Sequence, residues 1–388
     1  MKKYLNISVI LLILYYCLER FTYYSIGMYL PIYFATKLGL SDTSSDLYHN
    51  LTRYLPFLSL ILSAILIDRV RIFRNLKLYF IPIILGILFC MIGTYTAIII
   101  GTSIFILSSS LIQINIFLKI FVQLKKANPI DDRVFLVLYL AFNLFSGLAP
   151  ILTGTLRTDM SIFMAYTLPN IVLWILFGLL FIWKYSDSDD EEPSELEATN
   201  IKLPSRTLKV ILASFIGFLF YYHLSAQFFQ TQNNFNDSQD FNFKLELIPF
   251  IVIYVVGIIF LFLSKVQYVG KIIITLTATI ATGIIIIFNP FNSENIDTYT
   301  LIINSINSAT GILIYPAIIT LVLVYTRLEL RGTFLSIFFL LTYTINYINS
   351  GLIKIDSTIM VLISELALFG LLYLTLRYER LAAHNMRS

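Results

Sequence analysis

Leu18-Glu19-Arg20-Phe21-Thr22-Tyr23-Tyr24 is the stretch that decides the fold. It sets an acid beside a base within a segment that is otherwise mostly apolar from Tyr4 to Leu40. Hydrocarbon does not tolerate such a pair on its outer face, so both side chains must look into protein or toward water. An ionisable residue inside a membrane span is a functional-site hypothesis by default.

The rest of the chain agrees with a membrane setting. Of 388 residues, 58% are hydrophobic and 13% charged, whereas soluble domains carry about 25% charged residues. Mean hydropathy is +0.81. Apolar runs long enough to cross a bilayer recur along the whole length, and their length and continuity call for helices rather than barrel strands. The reading gives twelve spans, roughly 5–36, 48–67, 77–100, 103–124, 133–154, 161–183, 208–229, 246–264, 271–289, 299–325, 332–352 and 357–376. The first is expected to be a retained helix rather than a cleaved signal, because its apolar run is too long and contains Glu19 and Arg20.

Basic residues fall on alternate loops. Lys2 and Lys3, then Arg69 to Lys77, Lys125 to Arg133, Lys202 to Lys209, Lys265 and Lys271, Arg327 and Arg331, and Arg377 to Arg387 share one side. The intervening loops are mostly Ser, Asn, Thr and Asp. Basic loops stay in the cytoplasm, so both termini are expected there, and usage rich in Ile, Phe, Tyr and Asn suggests a bacterial inner membrane. Seven acidic residues between Asp187 and Glu197 mark a solvated linker over 185–206. It divides the chain into two six-helix halves, 1–184 and 207–388. That is the footprint of a two-repeat transporter, with its site expected between the halves.

Cys17 and Cys90 lie in apolar runs and imply no disulfide framework. His49, His223 and His384 are scattered, so neither a metal nor another cofactor is expected. Nothing points to nucleic acid.

With those spans in place, the chain resembles the proton-dependent oligopeptide transporters of the major facilitator superfamily. The family's first-helix motif ExxERFxYYG is matched over Tyr16 to Ser25 with its ERFxYY core intact. The fifth-helix pattern FxxxYxxxN, followed by Pro and Gly, appears as Phe135, Tyr139, Asn143, Pro150 and Gly154. Lys119 stands where the family has a fourth-helix lysine, Asp68-Arg69 resembles the loop after the second helix, and Pro316, Arg331-Gly332 and Asn346 fit the tenth and eleventh helices. The resemblance implies the major facilitator fold and uptake of di- or tripeptides, or of similar carboxylate-bearing solutes, by alternating access. Arg20 and Lys119 would then hold the solute carboxylate, and Tyr23, Tyr24, Tyr139 and Asn143 would position it.

Several family acids are absent. The leading acid of the first motif is Tyr16, the seventh-helix acid is Ala226, its arginine partner is Gly27, and the tenth-helix acid is Gly311. Ile248 replaces the asparagine before Pro249. Glu19 is thus the one candidate for proton coupling. If it must balance both Arg20 and Lys119, the cluster is net positive, which favours an anionic ligand. A carboxylate held by two cations also makes a poor proton carrier, so coupling is expected to be weak or absent.

A second reading removes transport altogether: a degenerate facilitator-fold subunit or scaffold of a membrane protein complex. The joint loss of charge at Gly27 and Ala226 favours it, and the intact ERFxYY core and Lys119 oppose it. An enzyme is not expected, since no nucleophile–base–orienter set is visible. Asn346 and Gln227 read as interhelical hydrogen-bonding residues, His223 as a packed side chain, and Glu365 matches no motif.

Overall fold

The computed structural model describes residues 6–36, 42–127, 133–156, 162–185, 243–262, 268–288, 296–326 and 330–352. Its helices are α1 (Ile7–Thr36), α2 (Asp42–Leu66), α3 (Phe80–Met91), α4 (Tyr95–Ala127), α5 (Arg133–Leu156), α6 (Ile162–Lys184), α7 (Phe243–Phe262), α8 (Tyr268–Phe288), α9 (Ile296–Tyr325) and α10 (Arg331–Leu352). Two 3₁₀ turns, Arg71–Arg74 and Leu76–Tyr79, link α2 to α3. No strand occurs among the described residues. The expected spans 208–229 and 357–376 lie outside them, as do Gln227, His223, Ala226, Glu365 and the acidic linker.

The described helices follow the expected spans with one correction. The boundary between the third and fourth spans, expected at 100–103, lies at residues 92–94, so that α4 begins at Tyr95. The chain reverses at Gly93, whose φ of 76° suits glycine. Thr94 Oγ1 then accepts from the Ala97 amide at 3.4 Å and starts the new helix. The polar run Gly101-Thr102-Ser103 reads as a break in the sequence but is helix interior. Ser103 Oγ bonds the Ile99 carbonyl at 2.7 Å, satisfying its hydroxyl within the helix. Gly101 is a packing residue: a Cβ there would come within 2.9 Å of the Cys90 amide nitrogen, and one on Gly86 within 2.8 Å of the Gly101 carbonyl oxygen. Small residues let α3 and α4 approach this closely, the usual device where lipid supplies no hydrophobic drive between helices.

Two compact units form. The first comprises residues 1–134, 141–198 and 326–340. In it α4 packs on α1, α2 and α3, while α6 packs on α1 and α3. Tyr15 centres its aromatic core, edge-on to Phe80, Trp174, Phe177 and Phe181 at 5.0–5.6 Å. Asp68, just past α2, caps α10: its carboxylate accepts from the Gly332 amide at 3.2 Å, the Thr333 amide at 2.6 Å and Thr333 Oγ1 at 2.8 Å. Arg74 lies 3.7 Å from the same carboxylate and donates to the Ile67 carbonyl.

The second unit comprises residues 135–140, 199–325 and 341–388. There α9 packs on α7 and α8. Leu136 and Leu140 of α5 join Ile312 and Leu313 of α9 in a buried cluster against Ile253, Tyr254 and Val256. Helix α8 has its polar side turned inward. Ile274, Thr277 and Ile284 are exposed, whereas Lys271, Thr275, Thr279 and Thr282 are buried. Lys271, counted with the loop cations from sequence, is therefore an interior side chain of α8's first turn, 2% exposed.

Candidate functional site

Residues three or four apart on a helix share a face. In α1 this aligns Tyr16, Arg20, Tyr23 and Tyr24 toward α4, with Glu19 on the flank. Glu19 is wholly buried and Arg20 is 7% exposed. Arg20 Nε donates to Glu19 Oε2 at 2.6 Å, and Arg20 Nη2 donates to Ser109 Oγ at 2.8 Å. Ser109 in turn donates to Glu19 Oε1. The acid, the base and one α4 hydroxyl thus close a ring of charge-assisted hydrogen bonds. The guanidinium carbon also lies 5.4 Å from the ring centres of both Tyr16 and Tyr23. Such cation–π contacts are worth from about 0.5 to about 2 kcal/mol, more when desolvated. Tyr16 therefore supplies a ring quadrupole where the resembled motif has a carboxylate. Tyr23 and Tyr24, both half-buried, meet edge to face at 5.5 Å, and Tyr23 stacks on Phe105 at 6.4 Å.

A second buried network fixes α1 beside this cluster. Thr22 Oγ1 donates to Asn170 Oδ1 at 2.8 Å and accepts from Trp174 Nε1 at 2.8 Å. Asn170 Nδ2 donates to Ser25 Oγ at 2.9 Å. These bonds tie α1 to α6 at the turn that follows Glu19 and Arg20, so the charged pair sits on a fixed helix.

The structure gathers only some of the residues singled out from sequence. Glu19, Arg20, Tyr23 and Tyr24 come together, and the α4 residue that meets them is Ser109. Lys119 lies ten residues further on, about 15 Å along the helix axis. It is half-buried, with its ammonium 5.8 Å from the Tyr185 ring. Glu19 is paired with Arg20, so the arrangement in which it balances both cations at one place is replaced by a compact neutral pair and a separate Lys119. Tyr139 belongs to the second unit, stacked on Tyr315 at 5.6 Å and 14°. Asn143 is half-buried in α5, where its carbonyl accepts from Ser146 Oγ at 3.0 Å. Gly27 lies in α1. Sequence reading missed Ser109, Asn170 and Lys271. A polar residue in an apolar run was the available signal, but α4 and α6 offer several and sequence does not rank them. Among the described residues no three His, Cys, Asp or Glu side chains gather to hold a metal ion.

No protein-family model and no curated protein sequence matches the chain. Solved structures do match over nearly the whole length. A bacterial homologue of the iron transporter ferroportin, in its outward-facing state, aligns at TM-score 0.71 and 14% identity, covering 97% of this chain and 100% of that one. The E. coli fucose:proton symporter aligns at 0.70 and 14%, covering 96% and 98%. A POT family transporter in complex with a thioalcohol-conjugated peptide aligns at 0.63 and 15%, covering 96% of each. The fold is the all-α major facilitator fold.

Proposed function

We infer that this protein is a secondary transporter that moves a small organic solute by alternating access, and that the solute is a di- or tripeptide or a similar carboxylate-bearing molecule. The buried Glu19–Arg20–Ser109 ring between Tyr16 and Tyr23 is the observation that carries this reading. A charged pair in the middle of a membrane helix is costly to bury. Tyrosine rings and a fixed hydrogen-bond ring hold it in one geometry, as a binding site requires. The planar guanidinium suits a carboxylate, and Tyr23 and Tyr24 add hydroxyls and ring faces beside it. The likeness to a peptide-bound transporter supports a peptide, and matching structures are also named for an organic anion, iron and fucose.

The roles divide along α4. A solute carboxylate at Arg20 does not reach Lys119, so Lys119 acts at another point on the solute's path, while Tyr139 and Asn143 act from α5. Glu19 is the one acidic residue among the described residues that is wholly buried; Asp68, the other acid with little exposure, is engaged at the start of α10. Both its carboxylate oxygens are engaged, by Arg20 and by Ser109. We assign it to holding Arg20 rather than to carrying protons, and proton coupling is accordingly weak.

Uptake of labelled dialanine into proteoliposomes tests the reading. Wild type accumulates the label and Arg20→Ala does not. Arg20→Lys, which keeps the charge but not the fork, falls between them while retaining wild-type folded yield. Absence of wild-type uptake together with stoichiometric co-purification of a membrane protein would replace this reading with the scaffold.

A further inference from the structure

The glycines of the described helices divide into two kinds. At Gly86 and Gly101 a Cβ would lie under 3.0 Å from backbone atoms of the facing helix, so packing demands glycine; at Gly257 and Gly332 it would press on side-chain atoms of Leu140 and of Asp68 and Ile67 at 2.7 Å. At Gly178 it would meet the Phe80 ring at 3.2 Å. Gly311 differs: a Cβ built there meets no heavy atom within 4 Å. Alanine would fit, and in a helix interior it is the more stabilising residue. The fold therefore gives no reason for glycine at this position.

The surroundings suggest one. Ser308, Gly311 and Tyr315 lie on one face of α9, three and four residues apart. Ser308 and Tyr315 are half-buried, Gly311 between them is buried, and Ile312, Leu313 and Ile314 around the rest of the helix are at most 4% exposed. Within one turn α9 passes from sealed core to a looser face. Tyr139, stacked on Tyr315, extends that face onto α5, and Tyr254 Oη donates to the Leu140 carbonyl at 3.0 Å, fixing the α5 segment behind it. The wall is uncharged: α9 has no ionisable acid or base between Asp297 and Tyr325, and α5 has none after Arg133.

We propose that the space beside Gly311, walled by Tyr315 and Tyr139, is a subsite that admits an uncharged aliphatic or aromatic group of the solute. It rests on the transport reading above and specifies the chemistry accepted at the second unit's wall. Tyrosine faces favour apolar or flat groups. A charged group would meet no counter-charge on this wall, and leaving it unpaired is unfavourable.

The test uses Gly311→Cys in the full-length protein in proteoliposomes, labelled by the water-soluble thiol reagent 2-sulfonatoethyl methanethiosulfonate. Wild type gives the background from Cys17 and Cys90, both buried, and Ile314→Cys, at a wholly buried position, reports a sealed site. Gly311→Cys should label well above both. Alanyl-phenylalanine should slow that labelling, and alanyl-lysine should do so at least about tenfold less effectively, the discrimination expected of an apolar pocket. Labelling no faster than Ile314→Cys, or labelling that neither dipeptide slows, overturns the subsite. Gly311→Leu provides a second readout: melting temperature kept or raised, and alanyl-phenylalanine uptake lowered about tenfold or more. Unchanged uptake in Gly311→Leu overturns the subsite; absence of uptake in wild type overturns instead the transport reading, and protection of Gly311→Cys by alanyl-phenylalanine then still decides the subsite.

Discussion

Ser109 hydrogen-bonds to both charged groups of the α1 pair. Ser109→Ala removes one bond from each, and a hydrogen bond to a charged group is worth about 1.5–3 kcal/mol. A lower melting temperature in detergent is the expected outcome; an unchanged one would show that the ring does not need its α4 member. Thr22→Val is nearly isosteric but deprives Asn170 Oδ1 and Trp174 Nε1 of a partner. Buried groups left short cost about 1–3 kcal/mol. Thr22→Val and Trp174→Phe should therefore be less than additive in a double-mutant cycle, because the second change relieves a donor the first has stranded. Sequence reading could identify Glu19 and Arg20, because charge in an apolar run stands out in one dimension. It could not identify Ser109, since Ser108 and Ser110 flank it and only the rotation of α4 decides which serine faces α1.

Among the elements, the turn after α2 and the first turn of α10 form one device. Both were visible in the sequence, as Asp68-Arg69 and as Arg331-Gly332, but nothing in one dimension joins residues 264 positions apart. The helix N-terminus offers unpaired amides and partial positive charge, and Asp68 supplies the matching acceptor. Asp68→Ala should cost about 0.5–2 kcal/mol, the range for loss of an N-cap, and should speed hydrogen exchange at the Gly332 and Thr333 amides. Unchanged exchange there would mean that the cap contributes nothing to α10. The α3–α4 contact is sterically stricter. Gly101→Leu forces a side chain into space held by the Cys90 amide and Sγ; overpacking costs about 1–3 kcal/mol. The expected signs are a lower melting temperature and reaction of Cys90, sealed in wild type, with thiol reagents.

For the whole molecule, hydropathy and loop charge indicated spanning helices in two halves, because lipid restricts the chain to such helices and loop charge restricts their arrangement; the major facilitator fold itself was read from the motif resemblance carried by the ERFxYY core. The site was less legible. Lys119 was set beside Arg20 on the strength of a motif, and only the rise of α4 separates them. Lys271 was counted as a loop cation because it borders an apolar run, whereas α8 rotates it inward. The arrangement of the acids bears on energy coupling. With Glu19, the one wholly buried acid among the described residues, engaged by an arginine and a serine, solute entry into proteoliposomes should proceed without a proton gradient, and a protonophore should leave its initial rate unchanged. A rate that collapses with the gradient would assign Glu19 a proton-carrying role after all.

Glu19 and Arg20 are sequence neighbours, and this has a consequence for motion. Ion pairs that bridge two helices break when those helices separate, so they can act as latches. A pair carried on a single helix stays joined however α1 shifts, and the hydrogen bonds from Ser109 are what such a shift would break. Sliding or tilting this helix therefore strands no lone charge in oil.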